Sequence, residues 1–347
     1  MKRKKQSFAF QWHITDSCDQ RCKHCYIFSE GFCDFTSMLF KDMVDVLDSI
    51  EDMGIRTYRE PYIYMTGGDP LLHPDFWKIA GEMHRRNIRF AIMGNPFHLD
   101  ADVCTKLRQL GCRKYQVSLD GLEKTHDEFR MPGSFAETMR VIPLIREAGM
   151  YCAVMSTVSS KNMAEIPLVI DLVGSMNVDV FACGRYCPTS GQKRDEFHIE
   201  PLDYRKFLIE CQKHIKQAAA QGSTTYFHPK DHLWTLLNWE QGTFKIPEDA
   251  DPQTIYSGCH CAISHLTILP KGDVYACRRM ESKVGNVFEK PLYELFMSAE
   301  MNEYRQYDQM EKCSTCELLR WCRGCSAVSY GYTKNHLAAD PQCWKDL

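Results

Sequence analysis

Eighteen cysteines in a chain of 347 residues constrain this protein more than any other feature of its sequence. The basic start, Lys2 to Lys5, is not followed by the apolar run and small-residue cleavage site of a secretory signal. A disulfide framework is therefore not expected, and metal ligation is the leading explanation for so many thiols. The cysteines fall into a short group near the start, a long group within residues 259–347, and scattered positions between them.

Composition excludes several classes of function. The formal net charge is −3 and charged residues make up 25% of the chain, so no overall charge attracts nucleic acid or an anionic membrane. No apolar run reaches the roughly 18 residues that a membrane-spanning helix needs. We therefore expect a cytoplasmic protein with neither a nucleic acid nor a membrane as partner.

Hydrophobic periodicity predicts alternating strands and helices from residue 8 to residue 221. Phe8, Phe10, Trp12 and Ile14 alternate with other residues, which indicates a strand. The predicted strands are 8–14, 62–65, 89–93, 114–119, 151–158 and 178–182. The predicted helices are 37–53, 74–86, 100–110, 135–148, 163–176 and 201–221. Six such units in a row predict an α/β fold with a parallel sheet, arranged as an open, partial (β/α)6 barrel.

The expected organisation has three parts: the barrel at 1–221, a connecting segment at 222–258 and a cysteine-rich domain at 259–347. The motifs that carry chemistry all fall at carboxyl ends of predicted strands, where parallel α/β folds place their active sites. These motifs are Cys18–Cys25, Gly67-Gly68-Asp69, Gly94-Asn95-Pro96, Ser118-Leu119-Asp120 and Gly184-Arg185. Their shared position predicts one active site.

The first cysteine group, Cys18-x3-Cys22-x2-Cys25, offers three thiolates from one short loop. Three cysteines can hold a [4Fe–4S] cluster by three irons and leave the fourth iron open. A structural zinc ion is usually bound by four protein ligands, and His13 or His24 could supply the fourth. The number of ligands alone leaves both metals open.

The stretch Cys18-Asp-Gln-Arg-Cys22-Lys-His-Cys25-Tyr26 resembles the cluster motif of the radical S-adenosylmethionine (SAM) superfamily. The resemblance implies that the open iron binds the amino and carboxylate groups of SAM. It further implies that an electron, delivered by a reductant such as flavodoxin or ferredoxin, cleaves SAM to methionine and a 5′-deoxyadenosyl radical. That radical abstracts a hydrogen atom from the substrate.

Other strand-end residues are similar to SAM-binding positions of the same superfamily. Thr66 to Pro70 matches a Gly-Gly-Glu-Pro stretch that contacts the SAM amino group, with Asp69 in place of glutamate. Each motif also has a structural alternative. Gly67-Gly68 could be a plain strand-exit turn, Ser118 and Asp120 could form a surface turn, and Arg185 could be an exposed arginine. The resemblance implies SAM contacts from Tyr26, Thr66, Gly67, Gly68, Asp69, Asn95, Ser118, Asp120 and Arg185.

The second cysteine group has eight members, enough for two four-cysteine sites, and their number does not choose between zinc and iron–sulfur clusters. The stretches Leu266 to Cys277 and Val284 to Val287 resemble the SPASM extension of radical SAM peptide and protein maturases. The resemblance implies two auxiliary [4Fe–4S] clusters, three clusters in all. The first would be held by Cys259, Cys261, Cys277 and Cys325, and the second by Cys313, Cys316, Cys322 and Cys343.

Two spacings depart from the SPASM pattern. Cys322 and Cys325 are separated by two residues where relatives usually have three, and Cys259 and Cys261 by only one. If one of the latter pair cannot reach its cluster, the first auxiliary cluster would keep an open iron for substrate.

The remaining cysteines are scattered. Packing is expected for Cys104, Cys112, Cys152 and Cys211, because free cysteine is among the most buried residue types. Cys33, Cys183 and Cys187 lie near predicted strand-end loops. A thiol at such a place could donate a hydrogen atom to a substrate radical, although packing remains the leading interpretation.

The resemblance makes a peptide maturase, acting on a ribosomally made precursor peptide, the first hypothesis for function. The expected product is a cross-link, most often a thioether. Maturation of a protein active-site residue, as in anaerobic sulfatase-maturing enzymes, and peptide epimerisation are the alternatives. A non-enzymatic electron carrier or zinc scaffold is disfavoured, because a carrier needs no open cluster.

The residue at position 278 distinguishes a peptide maturase from a sulfatase-maturing enzyme. Sulfatase-maturing relatives carry an aspartate base directly after the last cysteine of the hairpin, where this chain has Arg278. Arginine stays protonated in proteins and cannot act as that base, but it can bind an acidic peptide or support a cluster. Seventeen residues precede Cys18, which are too few for a leader-recognition domain. We therefore expect leader recognition by a separate protein or by the barrel itself, or a substrate without a leader.

Overall fold

The computed structural model describes residues 6–28, 35–188 and 195–347. The strands are β1 (Ser7–Thr15), β2 (Glu60–Gly67), β3 (Phe90–Met93), β4 (Cys112–Ser118), β5 (Tyr151–Val158), β6 (Val180–Arg185), β7 (Tyr226–His228), β8 (His265–Ile268), β9 (Asp273–Tyr275) and β10 (Lys283–Asn286). The helices are α1 (Phe40–Thr57), α2 (Phe76–Arg85), α3 (Ala101–Gln109), α4 (Glu123–Phe129), α5 (Ser134–Glu147), α6 (Ile166–Ser175), α7 (Pro201–Ala220), α8 (Leu233–Glu240), α9 (Leu292–Phe296), α10 (Ala299–Asn302) and α11 (Ser326–Thr333).

The chain forms two compact units, and neither is continuous in sequence. The first contains Met1–Ser118, Arg130–Ala153 and Cys261–Arg305, and the second contains Leu119–Phe129, Val154–His260 and Gln306–Leu347. These two units are defined by packing, whereas the three expected parts at 1–221, 222–258 and 259–347 are sequence domains. The boundaries of the sequence domains stay a prediction.

The first unit is built on strands in the order β10-β9-β8-β1-β2-β3-β4. β1 pairs in parallel with β2 on one side and with β8 on the other, so that Phe10 lies opposite both Ile63 and Leu266. Phe8, Phe10 and Trp12 are fully buried, as the alternating pattern of β1 predicts. This central strand leads directly into the first cysteine group.

The stretch Leu266 to Cys277, which resembles the SPASM extension, forms a hairpin. β8 and β9 are antiparallel, with Ile268 opposite Val274, and β10 continues the meander. The parallel pairing of β8 with β1 was not predicted. It makes the hairpin a continuation of the parallel sheet.

The second unit carries the part of β5 from Val154 onward, followed by β6 and β7, in the order β5-β6-β7. β6 and β7 are parallel, with Val180 opposite Tyr226. The long helix α7 packs on α6, whose apolar residues Ile166, Val169, Ile170 and Val173 are buried. β7 and α8 lie in the predicted connecting segment, so the strand-then-helix rhythm extends one unit further than the sequence indicated. The predicted α/β fold with a parallel sheet is confirmed.

Across the described parts of the chain, no helix is both long and apolar enough to cross a membrane.

Candidate active site

The loop of the first cysteine group is fixed by the exits of β1 and β2. The Gly68 N–H donates to the Thr15 carbonyl at 2.9 Å, and the Asp69 N–H donates to the Ser17 carbonyl at 2.7 Å. A Cβ at Gly67, where φ is +142°, would lie 2.0 Å from the Thr15 oxygen, and one at Gly68 would lie 2.1 Å from the Ser17 oxygen. The two glycines therefore let the backbone leading into Cys18 lie against the end of β2.

Asn95, at the exit of β3, ties this loop to its neighbours. Its side-chain amide donates to the Cys18 sulfur at 3.3 Å and to an Asp19 carboxylate oxygen at 2.6 Å. Its carbonyl accepts a hydrogen bond from the Tyr115 hydroxyl at 2.9 Å. The structure thus brings Asn95 and Cys18 together, as their shared strand-end position predicts.

Asp69 is fully buried beside Asn95. Its two carboxylate oxygens accept the backbone N–H groups of Leu71 at 2.8 Å and of Asn95 at 2.7 Å. Burial raises the pKa of Asp69 to about 6, and the two backbone hydrogen bonds oppose that rise. The carboxylate is held in one orientation, which is what a contact to a ligand ammonium group would need.

Two thiols of the first group face N–H donors, since Asn95 donates to Cys18 and Arg130 donates to the Cys22 sulfur at 3.6 Å. The Cys22 thiol in turn donates to Gln20 Oε1 at 3.7 Å, and Gln20 is fixed by a hydrogen bond from its Nε2 to Ser134. Burial raises the pKa of Cys18 to about 11, so a metal must drive its deprotonation. Three sulfurs in one loop, with donors directed at two of them, fit a cluster held by thiolates.

Among the residues that the structure describes, no group of three or more His, Cys, Asp or Glu side chains is arranged to ligate a single metal ion. A single ion draws all of its ligands toward one point, whereas a [4Fe–4S] cluster takes each thiolate on a different iron.

Tyr26 forms a second set of contacts with β1. Gln11 donates to the Tyr26 hydroxyl at 3.3 Å and lies 3.0 Å from His13 Nε2. Arg278 lies over the Tyr26 ring, with its Cζ 5.1 Å from the ring centroid. Burial and the charge of Arg278 hold the pKa of His13 well below its usual value, so His13 is neutral.

Two nitrogens of this set stand out. Within the described residues, the buried Nδ1 of His13 and the buried Nε of Arg278 have no hydrogen-bond partner. Sequence reasoning did not single out Gln11, and it named His13 only as a candidate zinc ligand. The alternation of β1 was the available signal, since residues 11 and 13 share the face opposite the buried aromatic residues.

Thr66 and Ser118 close β2 and β4. The Thr66 hydroxyl is buried and donates to the Met93 carbonyl at 3.1 Å, while Ser118 is half-buried. Both lie in the first unit with Cys18. Their contacts with SAM stay a prediction.

Asp120 lies in the second unit, where it anchors a turn. Its carboxylate accepts the Thr157 N–H at 2.7 Å, its carbonyl accepts from the Asn162 amide at 2.8 Å, and its N–H donates to His126 at 3.0 Å. These bonds explain its complete burial, and its predicted role at SAM is untested.

Arg185 lies in a buried ion-pair network of the second unit. Its guanidinium donates to Asp231 at 2.7 Å, to both carboxylate oxygens of Asp340 at 2.7 and 2.8 Å, and to Gln342 at 2.9 Å. The ring of Tyr204 lies 5.3 Å from its Cζ. This geometry gives Arg185 a structural role and does not support the predicted SAM contact, which stays a prediction.

The four cysteines assigned to the second auxiliary cluster all lie in the second unit. Cys313 interacts electrostatically with Cys343 and Cys316, and Cys322 with Cys343 and Cys313. Burial raises the pKa of Cys313 to about 12 and that of Cys322 further. Their proximity fits a shared cluster.

The four cysteines assigned to the first auxiliary cluster divide between the units. Cys261 and Cys277 belong to the first unit, and Cys259 and Cys325 to the second. Their common ligation therefore stays a prediction.

The scattered cysteines Cys104, Cys112, Cys152 and Cys211 are buried. Cys183 and Cys187 are buried in the second unit, and burial raises the pKa of Cys183 to about 12. Cys33 lies outside the described residues. A hydrogen-donating role for any of the last three remains untested.

Comparison with family models supports both resemblances found in the sequence, to the radical SAM superfamily and to the SPASM extension. The radical SAM superfamily matches residues 12–173, and SPASM, described as an iron–sulfur cluster-binding domain, matches residues 259–317. These matches support SAM and a SAM-binding iron–sulfur cluster as cofactors.

Several curated relatives match the chain over nearly its full length. An AdoMet-dependent heme synthase of Methanosarcina barkeri is 27% identical over 341 residues, covering 96% of this chain and 95% of the relative. A pre-heme d1 synthase of Dinoroseobacter shibae is 23% identical over 350 residues, covering 96% and 85%.

Solved structures share the fold. Streptococcus suis SuiB bound to S-adenosylmethionine superposes with a TM-score of 0.75 at 18% identity, over 98% of this chain and 78% of SuiB. SuiB bound to its precursor peptide SuiA gives 0.73 at 18% identity, over 97% and 75%. Native anSMEcpe with bound AdoMet gives 0.75 at 17% identity, over 96% and 93%. The chain therefore contains a radical SAM domain at residues 12–173 and an SPASM domain at residues 259–317, and its similarity to named enzymes over nearly its full length supports an enzyme.

Proposed function

We propose that this enzyme acts on a carboxylate-bearing tetrapyrrole such as an iron porphyrin. The observation that carries the proposal is Arg278, which lies over the ring of Tyr26 beside the first cysteine group and has a buried Nε without a hydrogen-bond partner among the described residues. A guanidinium in that situation is a ready site for a carboxylate, which it can bind through two parallel hydrogen bonds.

The charge balance near Arg278 also favours an anion. Arg278 and Lys271 both interact electrostatically with Asp16, which lies between β1 and Cys18. Burial raises the pKa of Asp16 above its usual value, and the charges of Arg278 and Lys271 oppose that rise. Two cations therefore face this one carboxyl.

The names of the near-full-length relatives suggest what carries the carboxylates. A heme synthase and a pre-heme d1 synthase are both named for tetrapyrrole products. The side-chain carboxylates of such a molecule would meet Arg278, and its flat apolar ring system could lie against an aromatic side chain such as Tyr26.

In this proposal each functional residue of the first unit would have its own role. Cys18, Cys22 and Cys25 would hold the cluster, and Asp69 would receive the SAM amino group. With SAM bound, the cluster supplies hydrogen-abstracting radical chemistry. Arg278 would orient the substrate carboxylate. We further propose two auxiliary clusters, roughly 12 irons per chain in all, and flavodoxin or ferredoxin as the reductant.

A ribosomal precursor peptide is the second candidate substrate. The observation that favours it is the likeness to SuiB in its complex with the precursor peptide SuiA. An acidic peptide could bind Arg278 in the same way. A thioether product, a separate leader-recognition protein and a hydrogen-donating Cys183 or Cys187 belong to this second proposal.

The two candidates separate in one experiment. Enzyme reconstituted anaerobically with iron and sulfide is incubated with SAM and dithionite, with and without iron coproporphyrin III. We expect the tetrapyrrole to increase 5′-deoxyadenosine formation and to change in mass. Unchanged tetrapyrrole and unstimulated cleavage, in enzyme with a full iron content, would overturn the proposal. An acidic precursor peptide that is modified under the same conditions would establish the second candidate.

A further inference from the structure

The face of the sheet that carries Gln11 continues from β1 to β4 within the first unit. Gln11 lies opposite Tyr64 on β2, Tyr64 opposite Ala91 on β3, and Ala91 opposite Lys114 on β4. Register partners in a parallel sheet project from the same side, so these four side chains form one row. Ile63, the residue before Tyr64, points to the other face and is fully buried. The row therefore belongs to the face opposite the packed apolar side chains.

Lys114 reaches across this row to two tyrosines. Its Nζ donates to the Tyr64 hydroxyl at 3.3 Å, and it lies 4.6 Å from the centroid of the Tyr64 ring and 5.8 Å from that of Tyr62. The two rings are 4.8 Å apart, with 64° between their planes. Ala91, which lies between Lys114 and Tyr64 in the register, has only a methyl side chain and leaves room for this contact. The rings and the hydroxyl hold the ammonium group at this place on the sheet.

Lys114 has aromatic neighbours but no counter-charge. The residue is half-buried, and among the residues that the structure describes no carboxylate pairs with it. Burial raises the pKa of Tyr62 above its usual range, so this phenol stays neutral and supplies no negative charge. A cation that is partly removed from water gains from an anionic hydrogen-bond partner. Lys114 is therefore a ready site for an anionic group of a ligand.

We propose that Lys114 binds a second carboxylate of the substrate, at the edge of the molecule opposite to the carboxylate that Arg278 holds. This role rests on the proposed function, because a tetrapyrrole supplies both carboxylates. Arg278 and Lys114 both belong to the first unit.

The width of the sheet separates the two cations. Arg278 lies over Tyr26, whose hydroxyl accepts a hydrogen bond from Gln11 on β1. Lys114 is on β4, three strand spacings from β1, which corresponds to about 14 Å across the sheet. A rigid molecule with carboxylates at opposite edges can reach both cations at once, whereas a molecule with carboxylates at one edge can reach only one of them. The two cations would therefore select a substrate by the positions of its carboxylates.

The test compares two iron porphyrins by absorbance titration of the anaerobically reconstituted full chain. Iron coproporphyrin III carries two propionates at each of two opposite edges, and iron protoporphyrin IX carries propionates at one edge and vinyl groups at the other. The variants are Lys114→Met, which removes the charge at similar length, Lys114→Arg, which keeps the charge, and Lys106→Met as the matched control. Lys106 is an exposed lysine on α3 that also lies over an aromatic ring, 4.0 Å from the centroid of Trp77.

We expect Lys114→Met to raise the dissociation constant of iron coproporphyrin III roughly tenfold and to leave that of iron protoporphyrin IX nearly unchanged. Lys114→Arg should restore most of the affinity, and Lys106→Met should change neither constant. An equal loss of affinity for both porphyrins would overturn the proposal, because it would identify a structural role for Lys114, and so would unchanged affinity for both. If the methionine variant does not fold, Lys114→Gln is titrated in its place.

The wild-type titration separates this role from the proposed function. Wild-type enzyme that binds neither porphyrin would overturn the tetrapyrrole proposal, and the role of Lys114 with it. Wild-type enzyme that binds iron coproporphyrin III no more tightly than Lys114→Met does would overturn the role of Lys114 alone.

Discussion

The side-chain amide of Asn95 donates a hydrogen bond to the sulfur of Cys18 at 3.3 Å and thereby joins the exit of β3 to the cysteine loop that follows β1. The same amide donates a hydrogen bond to the Asp19 carboxylate, and the Asn95 backbone N–H donates one to the Asp69 carboxylate. Three strand exits therefore meet at one asparagine.

Asn95→Ala should weaken the hold on the first cluster. A hydrogen bond to a charged group is worth about 1.5–3 kcal/mol, so SAM cleavage should fall roughly 10- to 100-fold. Iron content and 5′-deoxyadenosine formation are the measurements. His98→Ala is the control, because it removes the other contact of Asp19 and leaves Cys18 untouched. Equal losses in both variants would contradict a role for the Cys18 contact.

Gly68→Ala should displace the cysteine loop. The new methyl group would lie 2.1 Å from the Ser17 carbonyl oxygen, and overpacking of this kind costs about 1–3 kcal/mol. We expect lower thermal stability and impaired cluster assembly. Gly81→Ala on α2 is the matched control, because a Cβ there meets nothing within 4 Å and should stabilise the helix slightly. A Gly68→Ala enzyme with full iron content and normal cleavage would contradict the expectation.

SAM binding should depend on pH through Asp69. Burial raises the pKa of Asp69 to about 6, so the buried carboxylate costs stability above pH 6 and that cost disappears as the pH falls toward 4. If ionised Asp69 receives the SAM ammonium, affinity is full above pH 6 and roughly tenfold weaker at pH 5. Calorimetric titration between pH 5 and 8 measures this. Asp69→Asn should bind weakly at every pH, and a wild-type pH profile in that variant would contradict the assignment.

Arg278→Ala should weaken binding of the anionic substrate without preventing cleavage of SAM in its absence. Loss of a charge-assisted contact of about 1.5–3 kcal/mol corresponds to roughly 10- to 100-fold in the dissociation constant of iron coproporphyrin III. Absorbance titration supplies that constant. Lysine at 278 should recover only part of the affinity, because it lacks the planar fork. Arg279→Ala removes the same charge one residue away and should have a smaller effect.

Arg185→Met should destabilise the second unit strongly. Removing one partner from a buried ion pair costs about 3–5 kcal/mol, because Asp231 and Asp340 would stay buried without their counter-charge. Arg56→Ala breaks an exposed pair with Asp52 and should lower the free energy of unfolding far less. Urea unfolding of matched anaerobic preparations compares the two. A similarly small decrease in the free energy of unfolding for both variants would show that the Arg185 network contributes little to stability.

Local sequence pattern predicted most of the architecture because the strands are short apolar runs followed by turns. The alternation of Phe8, Phe10 and Trp12 defines β1, and β5 occurs at its predicted bounds. α4 was missed, since Glu123 to Phe129 is short and mostly polar and has no apolar stripe. β7 was missed for a similar reason, being only three residues long.

The candidate site was predictable where chemistry follows directly from residue type and spacing. Asn95 and Cys18 do lie together, and their strand-end positions indicated this. The partners of Arg185 could not be predicted, because Asp231 and Asp340 lie 46 and 155 residues further along the chain. The reason for glycine at 68 also needed the structure, since it depends on where the Ser17 carbonyl lies.

The pairing of β8 with β1 has a consequence for synthesis on the ribosome. The edge of β1 that pairs with β8 cannot close until residues 265–268 have emerged, some 250 residues after β1 itself. Until then the nascent chain presents unpaired backbone N–H and C=O groups, which can recruit another extended chain. A truncated protein that ends before His265 would keep this edge open permanently, and it should aggregate even though every barrel strand is present.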